Sequence, residues 1–376
     1  MTDIRKHSPL PPSSAARWIA CPPSALKNAE IEDQPTEAAL EGTDAHSLCE
    51  YKVKRALGEN AENPIENLDF YNAEMEEYTD GYLQFVLEQI EKAKDNCKDP
   101  IILVEQKLDF TNYVPHGFGT GDCVIVADDN LTVIDFKYGL GVIVDSENNP
   151  QMMCYAIGAL NLFDTLYDIK TITMIIYQPR RDNISMASIT KGHLLKWAET
   201  VLKPAAELAI KGEGEYCAGD HCKFCKINGK CRKRAEYNLT LAKYVFTQPP
   251  ELTDTEISAV LDLGDRLVTW VNDVKEYALS EALKGRAWEG WKLVEGRSNR
   301  KFTDEKVVAD VVETAGYDPY EKKVVGITEM TRRLGRDKFN ELLEAFITKP
   351  LGKPTLVHNT DKRPAMTTAA NDFKED

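Results

Sequence analysis

The sequence predicts an α/β fold for its larger N-terminal part, a hairpin-led sheet between helices, followed by a smaller, mainly helical α+β domain. Three observations predict it. Apolar and β-branched residues fill 123–127 and 131–136, and Asp128-Asp129-Asn130 supplies turn chemistry between them. Helical patterns precede this hairpin over 36–57 and 72–96, and return at 150–163 and 191–211. A further strand pattern, 171–178, separates the last two helices. Helix, hairpin-led sheet, helix and strand in that order fit an α/β/α layered core.

Taken in order, a Pro/Ser-rich start (8–24) leads to the helix 36–57, with Leu40, Leu48 and Leu57 among its apolar positions and Gly58 as its stop. A polar stretch (58–70) precedes helix 72–96, then strands 101–108, 121–127 and 131–138. A loop (139–149) enters the helix 150–163; strand 171–178, helix 191–211 and a cysteine-rich segment follow. A boundary is expected at Gln248-Pro249-Pro250. Beyond it, Thr253–Leu283 reads as an amphipathic helix whose stripe of Ile257, Val260, Leu261, Leu267, Trp270 and Val274 is expected in a core. Gly285 ends it, Trp288–Phe302 reads as one or two strands carrying Arg297, Arg300 and Lys301, and helices follow near 303–315 and 335–347. The domains expected are 1–248, 249–358 and a disordered polar tail, 359–376. No internal repeat is visible.

At 376 residues, 43% hydrophobic and 28% charged, the chain has ordinary globular composition and room for two domains. It carries no signal peptide and no apolar run approaching a membrane span, so a cytoplasmic, reducing compartment and no membrane partner are expected. The net charge of −15 argues against general nucleic-acid affinity, but not against a local basic groove. Two basic runs are present: Lys223, Lys226, Lys230, Arg232, Lys233 and Arg234, and the pair Arg180-Arg181. Either is an ordinary solvated face unless a phosphodiester site lies beside it.

The hairpin carries the chemistry. A turn near 129 sets Asp122 about opposite 135–137, and Asp135 and Lys137, two apart, share one face of their strand. Two carboxylates this close repel unless a cation lies between them, and hard oxygen donors suit Mg²⁺ or Mn²⁺. An adjacent ammonium can orient a metal-bound water or stabilise developing charge. An Asp-x-Lys alone is usually a surface ion pair. Here Asp135 ends the apolar run Leu131-Thr132-Val133-Ile134, and Gln151 and Tyr155 follow one helical turn apart. The combination suits phosphodiester hydrolysis.

Nine cysteines in a reducing compartment argue against disulfides. Four cluster as Cys217-x4-Cys222-x2-Cys225-x5-Cys231, which points to a metal site. On spacing alone, these four make a tetrahedral Zn²⁺ site, with His221 as a further candidate.

Asp122, Asp135-x-Lys137 and Gln151-x3-Tyr155 resemble the core of the PD-(D/E)XK (restriction-endonuclease-like) nucleases, specifically the RecB-like branch. Ser13-Ser14, Trp18 and Cys21-Pro22 resemble that branch's N-terminal segment, and Gly42-Thr43-Asp44-Ala45-His46 its Gly-x3-His motif. The runs Val133–Gly139 and Asn149-Pro150-Gln151 are most similar to a phage- and prophage-encoded family of RecB-like proteins of unknown function. The nuclease motifs cover about residues 8–240, and the closer likeness runs to the C-terminal end. The resemblance implies that Asp122, Asp135, Lys137, Gln151 and Tyr155 are catalytic. It implies that His46, Asp122, Asp135 and the carbonyl of Phe136 hold one or two Mg²⁺ or Mn²⁺ ions. Without it, His46 reads as an ordinary helical histidine. Glu50, at i+4, then reads as a support for the imidazole, and Glu105 as a metal support or a simple ion-pair partner.

Some RecB-like nucleases, of the AddB type, join one N-terminal cysteine to a C-terminal Cys-x2-Cys-x5-Cys around a [4Fe–4S] cluster. The resemblance thereby implies Cys21, Cys222, Cys225 and Cys231 as ligands of a cluster stapling the ends of the domain, with Cys217 left over and zinc as the alternative. It also implies a DNA exonuclease of phage recombination or end processing in the bacterial host cytoplasm. The expected partners are DNA with free ends and a single-strand annealing or binding protein, with phosphate contacts from Arg180, Arg181, Lys223, Lys226 and Arg232. The alternatives are a structure-specific endonuclease and a catalytically silent DNA-binding scaffold subunit with a structural metal site.

Overall fold

A computed structural model describes residues 8–32, 36–95, 97–239, 253–294, 302–320 and 324–348. The chain divides into two compact units, Met1–Lys284 and Gly285–Asp376. The division lies after the long helix expected to open the second domain, not at 248/249. That helix packs on the cysteine segment: Arg234 bonds Asp273, and Gly229 lies against the Asp273 backbone.

The first unit is α/β. Its helices are α1 (Ala15–Ala20), α2 (Ser24–Ala29), α3 (Glu37–Ala56) and α4 (Ala73–Lys94). Strands β1 (Ile101–Asp109), β2 (Phe118–Ala127) and β3 (Asn130–Phe136) precede α5 (Pro150–Phe163). Then come β4 (Thr171–Gln178), β5 (Asn183–Thr190), α6 (Lys191–Trp197), a π segment (Ala198–Leu202), α7 (Lys203–Lys211), α8 (Arg232–Asn238) and α9 (Asp254–Leu283). The five strands form one sheet in the order β1-β2-β3-β4-β5. It is mixed: β3 and β4 run parallel, joined through α5, and every other pair is antiparallel.

Alternation along the strands builds a core on each face. Val124, Val126, Leu131, Val133, Met174 and Ile176 face a core shared with α1, α5, α6 and α7. Cys123, Ile125, Ile134, Phe136 and Ile175 face α3 and α4. The helix ends follow local chemistry. Thr36 caps α3 by accepting from the Ala39 N–H, and Gly58 (φ +82°) carries the left-handed turn after it. Asn149 caps α5 by accepting from the N–H groups of Gln151 and Met152, with Pro150 at the first helical position.

Three sequence expectations are corrected here. β5, reading Asn-Ile-Ser-Met-Ala-Ser-Ile-Thr, was not expected; its small polar residues hide the alternation that pairs it with β4. The apolar stripe of α9 is not core, since no residue of α9 is buried by the described residues: Ile257, Val260 and Leu261 are exposed and Leu267, Trp270 and Val274 half-buried. In the second unit the expected strands over 288–302 reduce, among the described residues, to one isolated bridge between Trp288 and Trp291. Arg297, Arg300, Lys301, the Gln248–Pro250 boundary and the tail from 359 lie outside the described residues. That unit otherwise holds α10 (Glu305–Thr314), α11 (Ile327–Leu334) and α12 (Arg336–Leu343).

Gly158 lets α5 lie close on β1. A Cβ there would come within 2.7 Å of Leu108 Cβ and 3.0 Å of its carbonyl carbon. Alanine favours a helix interior by about 1 kcal/mol over glycine, but overpacking against backbone costs about 1–3 kcal/mol. Gly158→Ala is therefore expected to lower unfolding free energy in a urea titration. Gly264→Ala in α9, where a Cβ meets nothing within 4 Å, is expected to raise it by about 0.5–1 kcal/mol.

Candidate functional site

The β2–β3 ladder runs to the Cys123–Ile134 pair, and the next rung is made by a side chain. There the Phe136 N–H donates to Asp122 Oδ2 at 2.7 Å. One register step beyond Cys123–Ile134, Asp122 and Asp135 stand across from each other. Lys137 Nζ lies 3.1 Å from Asp135 Oδ2 and donates to Gln151 Oε1 at 3.1 Å. Gln151 Nε2 donates to Asp135 Oδ1 and to the Tyr155 hydroxyl oxygen, both at 3.1 Å. Gln151 thus uses both ends of its amide, and the network fixes which end is which. The Lys137–Asp135 Oδ2 approach lacks hydrogen-bond geometry, so this buried oxygen has no hydrogen-bond partner.

Two further donors arrive from other elements. His46, on the inner side of α3, places Nδ1 3.4 Å from Asp122 Oδ1 and sets its ring edge-on to Phe136 at 5.4 Å between centroids. Glu105, in β1, interrupts the β1–β2 pairing between Val104–Cys123 and Gln106–Gly121 and has φ +51°. A left-handed glutamate inside a strand is strained by about 1–3 kcal/mol and persists only where its surroundings hold it. The result is that donor atoms of His46, Glu105 and Asp122 lie within 4.8 Å of one another.

Burial and charge set the protonation of this cluster. Burial alone would raise Asp122, but His46, the Phe136 N–H and Lys137 outweigh it and hold the carboxyl below its usual range. Asp135 is raised by burial, against Lys137 and reinforced by Asp122. Glu105 is pushed up to about 7 by burial and the Asp122 charge. His46 resists its own burial, which lowers it, and rises to about 9 through Asp122. Lys137 behaves likewise: burial is outweighed by Asp135 and Asp122, so it stays charged. Burial raises Tyr155, which keeps its proton.

Of the other expected site residues, Glu50 does not support His46; its carboxylate accepts from Lys54 at 2.6 Å, and the imidazole's partner is Asp122. Phe136 enters through its N–H. A Cβ at Gly42 would meet nothing within 4 Å, so packing does not explain that glycine. Arg180 is not a free cation: it bonds Glu41 at 2.9 Å and Glu74 at 3.4 Å and lies over Tyr138. Arg181 is exposed, as are Lys223, Lys226 and Arg232, with Lys226 Nζ donating to the Ile31 carbonyl at 2.7 Å.

The cysteines meet in a second place. Cys21, at the end of α1, lines one cavity with Cys217, Cys222, Cys225 and Cys231. The Cys217 N–H points at Cys21 Sγ at 3.5 Å, and Asn28 Nδ2 donates to Cys225 Sγ at 3.3 Å. His221 Nε2 lies 2.9 Å from the Cys217 carbonyl oxygen, and the Cys21 and Cys222 sulfurs raise this imidazole to about 10; burial raises both thiols, but His221 and backbone N–H groups outweigh it and lower them. Arg17 and Arg234 complete a cationic lining. Nothing in the cysteine spacing pointed to Arg17 or Asn28, because their link to the cluster is tertiary.

The carboxylate cluster predicts a pH dependence in protein free of divalent cations. His46 is raised from 6.5 to about 9, so its contribution is full below pH 6.5 and lost as pH rises through about 9. Glu105 is raised from 4.5 to about 7, so the fold loses stability as this group ionises over that window. Urea unfolding is expected to show stability falling from about pH 4.5 to 9, with Glu105→Gln removing the lower part of the slope and Asp122→Asn the upper part.

A solved structure titled "Crystal structure of SSO0001" is similar to this chain at 13% identity, covering 59% of this chain and 95% of that one. Its TM-score is 0.21, a likeness too small to carry an argument. No described helix is long and apolar enough to cross a membrane. Over residues 7–364 the sequence matches the family described as "Protein of unknown function (DUF2800)", and the chain belongs to that family.

Proposed function

We propose that this protein is a metal-dependent deoxyribonuclease of the RecB-like PD-(D/E)XK type, degrading DNA from its ends. The observation that carries the reading is the convergence of Lys137, Asp135 and Gln151 in one network beside the His46–Glu105–Asp122 group. The donor set fits Mg²⁺ or Mn²⁺: hard oxygens and one imidazole, with Asp135 Oδ2, which accepts no hydrogen bond, beside them. His46, Glu105, Asp122 and Asp135 would hold the ion. Bound there, it would polarise the scissile phosphate and acidify a water.

The residues of the chain do the rest. Lys137, kept charged and steered by Asp135 and Gln151, donates a hydrogen bond to an oxygen gaining negative charge. This favours the electrostatic role over that of a general base. Gln151 holds the lysine and Asp135 in register through its two amide ends. Tyr155 retains its proton and turns its hydroxyl toward Gln151, leaving that proton for a backbone phosphate. In this reading Glu105 is a ligand, while Glu50 and Arg180 serve the scaffold.

Purified protein with Mn²⁺ is expected to consume end-labelled linear DNA and spare covalently closed circles. Asp135→Ala should abolish cleavage, and Lys137→Ala should cost about 10²–10³-fold in rate, with DNA binding retained. Full cleavage by either variant would remove the assignment; efficient nicking of circles would make the enzyme an endonuclease.

The cysteine cavity supports a [4Fe–4S] cluster on Cys21, Cys222, Cys225 and Cys231. The donor chemistry fits, since Arg17 and Arg234 offset the charge of an anionic cluster and Asn28 bonds a ligand sulfur. Such a cluster would staple α1 to the segment before α8. Protein purified without oxygen is expected to be brown with about four irons per chain, lost in Cys21→Ser and kept in Cys217→Ser. A colourless protein with one zinc that survives Cys21→Ser but not Cys217→Ser would mark a local zinc site instead.

A further inference from the structure

Phe224 is 73% exposed, although Cys222 and Cys225 on either side of it are buried. One exposed apolar side chain is ordinary on a protein surface. The surroundings of Phe224 are not. It ends a short 3-10 turn, Asp220–Phe224, closed by the Cys225 N–H donating to the Cys222 carbonyl, so the ring stands on a fixed base. Lys223, Lys230, Arg232 and Lys233 are exposed in the same short stretch of a chain whose net charge is −15. Lys223 Nζ lies 5.9 Å from the ring centroid. Among the described residues, Lys223, Arg232 and Lys233 form no ion pair. A local surplus of cations on an acidic protein calls for an anionic partner.

We propose that Phe224 is a stacking platform for an unpaired base of single-stranded nucleic acid, with the strand's phosphates met by Lys223, Arg232 and Lys233, Lys230 being already engaged over the Tyr277 ring. An aromatic face accepts any base, and a line of cations tracks the backbone beside it. A base inside a duplex has both faces covered by its neighbours, so the ring selects single strands. An anionic lipid surface would meet the same charges. Lipid anchorage, however, draws on a long apolar helix face, which one ring on a five-residue turn does not offer. The inference stands apart from the cleavage reading, because none of its residues belongs to the network of Asp135, Lys137 and Gln151.

The test uses the full chain, without divalent cation, and a labelled oligo(dT) of about 12 nucleotides. Phe224→Leu is expected to weaken binding about tenfold, with its melting temperature and the salt slope of binding unchanged. An abasic oligomer of equal length is expected to bind wild type and variant alike. Lys233→Ala should instead lower the salt slope. If Phe224→Leu lowers the melting temperature, Phe224→Trp reads stacking directly: wild-type affinity is expected, with indole emission quenched by oligo(dT). Equal oligo(dT) affinity for Phe224→Leu and wild type would overturn the proposal. So would an equal loss on the abasic strand, or Phe224-dependent binding that is stronger to phosphatidylserine vesicles. Failure of DNA cleavage leaves each of these readouts intact.

Discussion

Three enclosed carboxylates on neighbouring strands, Glu105 and Asp122 in mid-strand and Asp135 near the end of β3, set the terms for everything around them. Each is raised by burial, and each ionised neighbour raises the others further. Two cations answer them, His46 and Lys137, and they are shared unequally. Asp122 takes the imidazole and a backbone N–H, and stays ionised. Asp135 takes the lysine, leaves one oxygen without a hydrogen bond and is held toward its neutral form. Glu105 has the weakest claim and rises to about 7. The protein alone leaves this charge set incompletely matched, the condition under which a site favours an added cation.

Such a cluster persists because its backbone cannot relax. The sheet carries a core on each face, one with α5 and one with α3 and α4, and the site draws side chains from both faces. α5 is set by Asn149 and Pro150, the two residues before Gln151, and Gly158 lets it close onto β1 two turns later. α3 brings His46 from the opposite face. A left-handed Glu105 in mid-strand is tolerable only within such a frame.

Much of this was legible in the sequence. The hairpin, α5 and β4 follow from strong alternation, a good cap and β-branched runs, and Asp122, Asp135, Lys137 and Gln151 sit at spacings that fix their shared face. β5 was not legible because Ser, Ala and Asn dilute its pattern. The left-handed Glu105 was not, because backbone strain leaves no mark in residue identity. Arg180 shows the converse: in the sequence it is a charge beside a strand, and only the fold reveals that Glu41, Glu74 and Tyr138 already engage it. The α9 stripe shows that periodicity reports a helix more reliably than it reports what covers it.

The union of Cys21 with the distant cysteines bears on how the chain is made. Asn28 and Cys225, whose side chains bond beside Cys21, are 197 residues apart. At synthesis rates of about 5–20 residues per second, the first helices wait roughly 10–40 s before the segment that completes their pocket is translated. During that interval Trp18, fully buried in the finished protein, has part of its core but Cys21 lacks Cys217, Cys222, Cys225 and Cys231. The segment around Cys21 is therefore translated well before Cys225 and is among the last parts of the unit to be secured. This unit is complete only when the residues around Cys21 have found those around Cys225.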